Sequence, residues 1–243
     1  MSLKDCNAMT PELLEKIKSR GYWRINFQPL VKAEKLPSID RCQEIVGQNA
    51  VKLRGWEYPA ILQGAQDVQR TRTQTYFELA NDWQNHIEFW RMYRSGQFLH
   101  YLALREDWIS ADELTAMGEQ QTQPMTRLSV VGTIYSVTEI YEFVARLARA
   151  GLYDEGVVVS IGLQHTKDRV LWLEDRARVG FSYERKTGAE ELTWSKNHTK
   201  EELLEDPLRL GRVVLKELFD AFGWQVGDEL LSRDQERLLT QRF

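Results

Sequence analysis

The chain has 243 residues, a formal net charge of −4, and 42% hydrophobic and 28% charged residues. That length can bury a substantial core, as one large domain or two small ones; the composition excludes general disorder, and the acidic balance argues against a protein coated in nucleic acid while leaving room for a local basic stripe. Two cysteines, Cys6 and Cys42, supply neither a disulfide framework nor a metal spacing.

In chain order, Thr10-Pro11 opens a helix with Leu13, Leu14 and Ile17 as its apolar stripe and Gly21 as its stop. Tyr22 to Val31 alternates, with Trp23, Ile25 and Phe27 on one face, as a half-buried strand does. Pro37-Ser38 starts a second helix that turns Ile39, Cys42, Ile45 and Val46 inward and ends at Gly47. Val51 to Trp56 and Thr71 to Leu79 read as strands, the first stopped by Gly55 and Pro59.

The segment from Asp82 to Trp108 carries three of the eight tryptophans and two of the four histidines. Its first half has helical spacing and its second half reads as a buried strand, so the expectation is a helix, a stop at Ser95-Gly96, then a strand through Phe98, Tyr101 and Leu102. The polar, Gln-rich stretch 109–126, with a short helix over Ala111 to Met117, is the best linker between an N-terminal half, 1–108, and a C-terminal half, 127–243.

Beyond it, Leu128 to Tyr135 reads as a strand. Ser136-Val137-Thr138-Glu139 forms a capping box for a helix over Val137 to Ala150, with Ile140, Phe143, Val144 and Leu147 inward. Val157 to Leu163 and Arg169 to Leu173 suggest a hairpin around His165 to Asp168, and Arg178 to Lys186 and Leu192 to Trp194 two more strands. Asp206-Pro207 caps a helix with Leu210, Val214, Leu218 and Phe222 on one stripe, and a charged helix from Asp228 to Gln241 ends the chain. The pattern gives an α+β fold: largely antiparallel sheets with helices packed on one face, in two halves of similar size.

Two motifs are long enough to mark a family. R-G-W-E-Y-P at Arg54 to Pro59 is followed by H-I-E-F-W-R-M-Y-R-S-G-Q-F-L-H from His86 to His100. Together they resemble a group of bacterial proteins of uncharacterised activity that share R-G-W-(D/E)-(F/Y)-P and H-(L/I)-E-x-W-R-x-Y-x-S-G-Q-F-x-H. The resemblance implies a bacterial, cytoplasmic protein, with defence against foreign DNA among the settings it points to. It brings no activity with it. The cytoplasmic reading agrees with the cysteine usage, with a start that lacks a signal pattern, and with the absence of any apolar run near the ~20 residues that span a bilayer; no membrane association is expected.

The residues that carry chemistry sit in these motifs. On a helix, His86 and Glu88 would point about 200° apart and not share a metal, while Glu88 and Arg91 would form a surface ion pair. His100 on the following strand reaches towards them. With Arg54, Trp56, Trp90 and Arg94 they make the candidate binding set. Arg70, Arg72, Arg91 and Arg94 also interleave with Tyr76, Trp90 and Tyr93, a pattern that can hold phosphates and stack bases, with acids at Asp67, Glu78, Asp82 and Glu88 equally interleaved. A separate pattern, Glu184-Arg185-Lys186 on an expected strand, matches the E-x-K of Mg²⁺-dependent nucleases, with Glu174 or Asp175 as the upstream acid. A Gly-rich phosphate loop and a G-x-S-x-G elbow are both missing, and neither cysteine has a nearby histidine. The sequence therefore points to a non-catalytic interaction or sensor subunit without a cofactor. Its partner is expected to be a protein, a further copy of itself, or a nucleic acid. The alternative is the metal-dependent nuclease.

Overall fold

The computed structural model describes residues 11–31, 35–61, 68–83, 85–110, 113, 123–174 and 180–240. The fold is α+β and is organised on one antiparallel sheet. Its strands are β1 (Tyr22–Pro29), β2 (Val68–Arg72), β3 (Tyr76–Trp83), β4 (His86–Tyr93), β5 (Phe98–Ala103), β7 (Val157–Gln164) and β9 (Glu191–His198), in the order β2-β3-β4-β5-β1-β7-β9. Two short strands, β6 (Arg127–Ser129) and β8 (Val170–Trp172), pair in parallel beside it. β1 is the hinge of the topology, because it pairs with β5 on one side and β7 on the other. Strands from both expected halves thus belong to one sheet.

The helices are α1 (Pro11–Lys18), α2 (Ile39–Asn49), α3 (Val130–Arg149), α4 (Lys200–Glu205), α5 (Pro207–Ala221) and α6 (Asp228–Thr240). α3 is the central helix. Phe143 on α3 meets Phe98 of β5 at 5.1 Å and Phe27 of β1 at 6.2 Å between ring centroids. α2 packs beside it on the same sheet face, and α5 and α6 pack on α3 from outside. Among the described residues, α1 is the helix that covers the opposite face, where Leu13 and Ile17 bury against Ile87, Phe89 and Ala103. Among the described residues no helix is long and apolar enough to cross a membrane.

Covering both faces of the sheet explains the main departure from expectation. The segment read as a helix before Ser95-Gly96 is the strand β4, joined to β5 by a tight turn in which Gly96 takes φ +83°. Ile87 and Phe89 face α1, while Trp90 and Met92 lie on the face that α2 and α3 cover. A strand buried on both sides loses its two-residue alternation, and the surviving apolar spacing mimics a helix. A similar confusion hid the start of α3. The helix begins at Val130 and not at Val137; Ser129 is its N-cap, its hydroxyl accepting from Gly132 N–H at 2.7 Å. Because α3 is buried nearly all round, its first turns read as strand, and Ser136 and Glu139 lie inside the helix.

Other expectations need smaller corrections. Val51 and Tyr58 form an isolated bridge that closes the R-G-W-E-Y-P loop where a strand was expected. A turn at Thr73–Thr75 splits the expected third strand into β2 and β3. β7 and β8 do not pair with each other: β7 lies between β1 and β9. Residues 180–185 are irregular, and only Lys186 makes a bridge, to Val170. Gly47 lies within α2, which runs on to Asn49. Gly21 does not end α1 by a left-handed turn; a Cβ there would collide with Arg169, Leu104 and Asp107, so the residue serves close packing. Of the linker stretch 109–126, residues 111–112 and 114–122 lie outside the described residues, and so do Thr10 and Asp175.

Candidate functional site

A cavity of about 390 Å³ opens where the start of β1, the end of β5 and the start of β4 meet the N-terminus of α3. Three tryptophans wall it. Trp23 comes from β1, Trp56 from the R-G-W-E-Y-P loop and Trp172 from β8. Each is placed by pairing: β1 by its two neighbours, the loop by the Val51–Tyr58 bridge, and β8 by β6. Guanidinium groups lie over two of these rings. Arg54 and Arg105 sit 5.1 and 5.5 Å from the Trp56 ring, and Arg127 is 5.2 Å from that of Trp172. Such contacts hold an aromatic wall in one orientation and load it with positive charge. Arg54 is itself anchored: its Nε donates to Glu139 Oε1 at 3.0 Å, and a second short contact completes a forked pair with that buried carboxylate.

The end of the cavity at α3 is acidic. Glu106, on the short 3-10 helix Arg105–Asp107, accepts Ser129 N–H on Oε1 at 2.9 Å. Glu174, just after β8, accepts the Ser129 hydroxyl, and its other oxygen lies 3.3 Å from Val131 N–H. The first amides of α3 are therefore occupied by the chain's own carboxylates. Loss of hydration pushes the pKa of Glu106 up to about 7, against the bond from Ser129, and the neighbouring Asp107 and Glu174 add to the rise.

One polar group in this wall has no counterpart. Thr133, on the first turns of α3, is 2% exposed and lines the cavity, and its hydroxyl has no hydrogen-bond partner. A helical threonine commonly returns its hydroxyl to the carbonyl four residues back. Thr138 on the same helix does so, donating to Ile134 O at 2.7 Å. Among the described residues four buried side-chain atoms lack partners, and Thr133 Oγ1 is the one that belongs to a cavity-lining residue.

The histidine motif forms the neighbouring wall. In a strand His86 and Glu88 share a face, and Glu88 bridges both imidazoles: Oε1 is 2.6 Å from His86 Nε2 and Oε2 is 2.7 Å from His100 Nε2. Ala60 N–H lies 3.3 Å from both carboxylate oxygens, and Tyr58 Oη is 3.4 Å from His100 Nδ1. Burial works to raise the pKa of Glu88, but the two imidazoles overcome it and hold the group well below the usual carboxylate range. His86 lines the cavity, its ring 5.7 Å from Trp56.

The structure thus brings Arg54, Trp56, His86, Glu88 and His100 together and sends the other candidates elsewhere. Trp90 is core, its indole N–H donating to Ala60 O at 2.8 Å. Arg91 points to the α1 face and pairs with Glu78, not Glu88, while stacking 4.1 Å from the Tyr76 ring. Arg94 reaches the carbonyls of Leu36 and Pro37 at 3.3 Å and fixes the approach to α2. Glu184 and Lys186 pair with each other at 2.7 Å on exposed, irregular chain. Glu174 lines the cavity, whose walls include neither of them. Among the described residues no group of three or more His, Cys, Asp or Glu side chains is arranged to hold a metal ion.

Sequence reasoning missed Arg105, Glu106, Ser129, Thr133 and Trp172. The signal for Ser129 and Thr133 was the true start of α3, concealed by its all-round apolarity. For Glu106 the hint was R-E-D-W at the end of a strand, where polar residues close a sheet edge. No protein-family model, curated protein or solved structure matches the chain.

Proposed function

We propose that this protein is a non-catalytic recognition protein, a sensor that takes one flat ring of a nucleic-acid partner or nucleotide into the cavity at the N-terminus of α3. The observation that carries this reading is the combination of three tryptophan walls with a cavity-lining threonine whose buried hydroxyl is unpaired. Aromatic walls suit a planar ring, and a buried polar group without a partner costs stability unless a ligand completes it. Arg105 at the exposed rim suits the phosphate that such a ring carries.

The non-catalytic part is supported by where the reactive groups are spent. Glu88 is held by two histidines, Arg54 by Glu139, and Lys186 by Glu184. The test is a titration of intrinsic tryptophan fluorescence with the ribonucleoside monophosphates and with a short single-stranded oligonucleotide of mixed sequence. A saturable change is expected, weakened by Trp56→Ala, with the ligand recovered chemically unaltered. Binding by none of these ligands, or turnover of the bound one, defeats the reading.

A further inference from the structure

The polar end of the cavity has a definite hydrogen-bonding sense. A helix N-terminus ordinarily attracts an anion through its free amides. Here Ser129 N–H is bonded to Glu106, Val131 N–H to Glu174, and Gly132 N–H to Ser129 Oγ. The residues that line this end are therefore two carboxylates and Thr133, whose buried hydroxyl has no partner. The carboxylates accept, and the hydroxyl can donate. A ligand that offers N–H groups to the acids and an acceptor to the threonine matches this set.

Two ligand classes meet a pair of acids among aromatic rings: a cation in an aromatic cage, and a neutral ring with an N–H edge. The guanidinium groups over Trp56 and Trp172 decide between them. Arg54, Arg105 and Arg127 already lie within 5.5 Å of those ring centroids, and a further cation between the rings would be repelled by them. A neutral ring carrying an anionic tail fits both the acids at the deep end and Arg105 at the rim.

Among nucleobases one edge matches. Guanine presents O6 as an acceptor beside N1–H and the N2 amino group as donors. Adenine places an unprotonated ring nitrogen where an acid would stand, and the pyrimidine bases lack two adjacent donors next to an acceptor. We infer that the cavity is a guanine site, in which Thr133 donates to O6 while Glu106 and Glu174 accept from N1–H and the N2 amino group. The inference rests on the recognition reading above and gives it a ligand. Each wrong base leaves at least one buried polar group unpaired, so discrimination of about tenfold or more is expected.

The experiment titrates the protein with guanosine, inosine, adenosine, cytidine and uridine monophosphates and with a short single-stranded oligonucleotide ending in guanosine, read by tryptophan fluorescence. The wild type, Glu106→Gln and Thr133→Val are compared, and far-ultraviolet circular dichroism establishes that each variant is folded. Guanosine monophosphate should bind best. Inosine monophosphate, which lacks the N2 amino group, should bind about tenfold more weakly, and the other three more weakly again. Glu106→Gln should cost about tenfold for the guanosine ligand and little for the weak binders. Tighter binding of the monophosphate or of the oligonucleotide tells whether the guanine arrives free or at a strand end; both outcomes support the site. If another nucleotide binds as tightly as the guanosine one, or if both variants bind it unchanged, the guanine assignment is overturned while the recognition reading stands. If no nucleotide binds, the recognition reading itself falls.

Discussion

Glu106 and Asp107 are consecutive residues on one turn of 3-10 helix, and they meet opposite fates. Asp107 is 2% exposed, and both of its oxygens are filled: Arg169 and Met125 N–H donate to Oδ1 at 2.9 and 2.7 Å, and Gly21 N–H donates to Oδ2 at 2.8 Å. Arg169 also donates to Oδ2, and its remaining groups reach the carbonyls of His165 and Arg127. Glu106 lines the cavity, accepts the Ser129 amide, and has its pKa pushed up to about 7. A buried charge whose bonds are complete is architecture, pinning β1, the 3-10 helix and the turn after β7 to one another. A half-satisfied charge beside a cavity is held in a costly state, and that cost makes sense where a ligand completes it.

The contrast can be broken by substitution. Arg169→Met leaves the Asp107 carboxylate buried without its cation, and should destabilise the protein by about 3–5 kcal/mol in urea denaturation. A loss much smaller than this would mean that Asp107 is not the pin described here.

Glu88 lies on the completed side of the comparison. Glu88→Gln removes the charge shared by His86 and His100 and should cost about 2–3 kcal/mol at neutral pH. The sign with pH follows from linkage. The folded-state pKa of Glu88 is depressed below its ordinary 4.5, so its stabilisation is present above that value and is lost as pH falls below it. Denaturation followed from pH 6 to pH 3 should show a smaller loss of stability in the variant than in the wild type.

Glu106→Gln should act in the opposite direction. Its folded-state pKa is raised from 4.5 to about 7, so ionising it costs stability that is absent below 4.5, grows as pH rises, and is complete above 7. The variant should be more stable than the wild type by up to about 3 kcal/mol at pH 8 and equal to it near pH 4. The smallest effect is expected at the exposed pair: Glu184→Ala should leave the denaturation midpoint unchanged, because a surface ion pair contributes little.

The legible part of this molecule was its class and its motif positions. The alternation of Trp23, Ile25 and Phe27 marked β1, the Asp206-Pro207 cap marked α5, and the mixture of helices with hairpins marked α+β. The two family-like motifs do converge, since Arg54 and Trp56 line the same cavity as His86. What could not be read was anything that depends on two-sided burial. β4 lost its alternation because α1 covers its far face, and with it went the contact between His86 and Glu88, which a helix would have separated. α3 lost its visible start for the same reason, so Ser129 and Thr133 stayed hidden. Glu106 and Glu174 are 68 residues apart in sequence, and the packing of β6 against the 3-10 helix and its pairing with β8 bring them to one serine.

The most direct measurement of the central claim is the denaturation of wild-type and Thr133→Val protein, each with and without saturating guanosine monophosphate. The isosteric substitution removes a buried hydroxyl that has no partner. It should raise the stability of the free protein by about 1 kcal/mol and shrink the stabilisation that the nucleotide confers. A variant less stable than the wild type when free, or one that gains as much as the wild type from the nucleotide, would contradict a cavity whose unpaired hydroxyl is kept for a ligand.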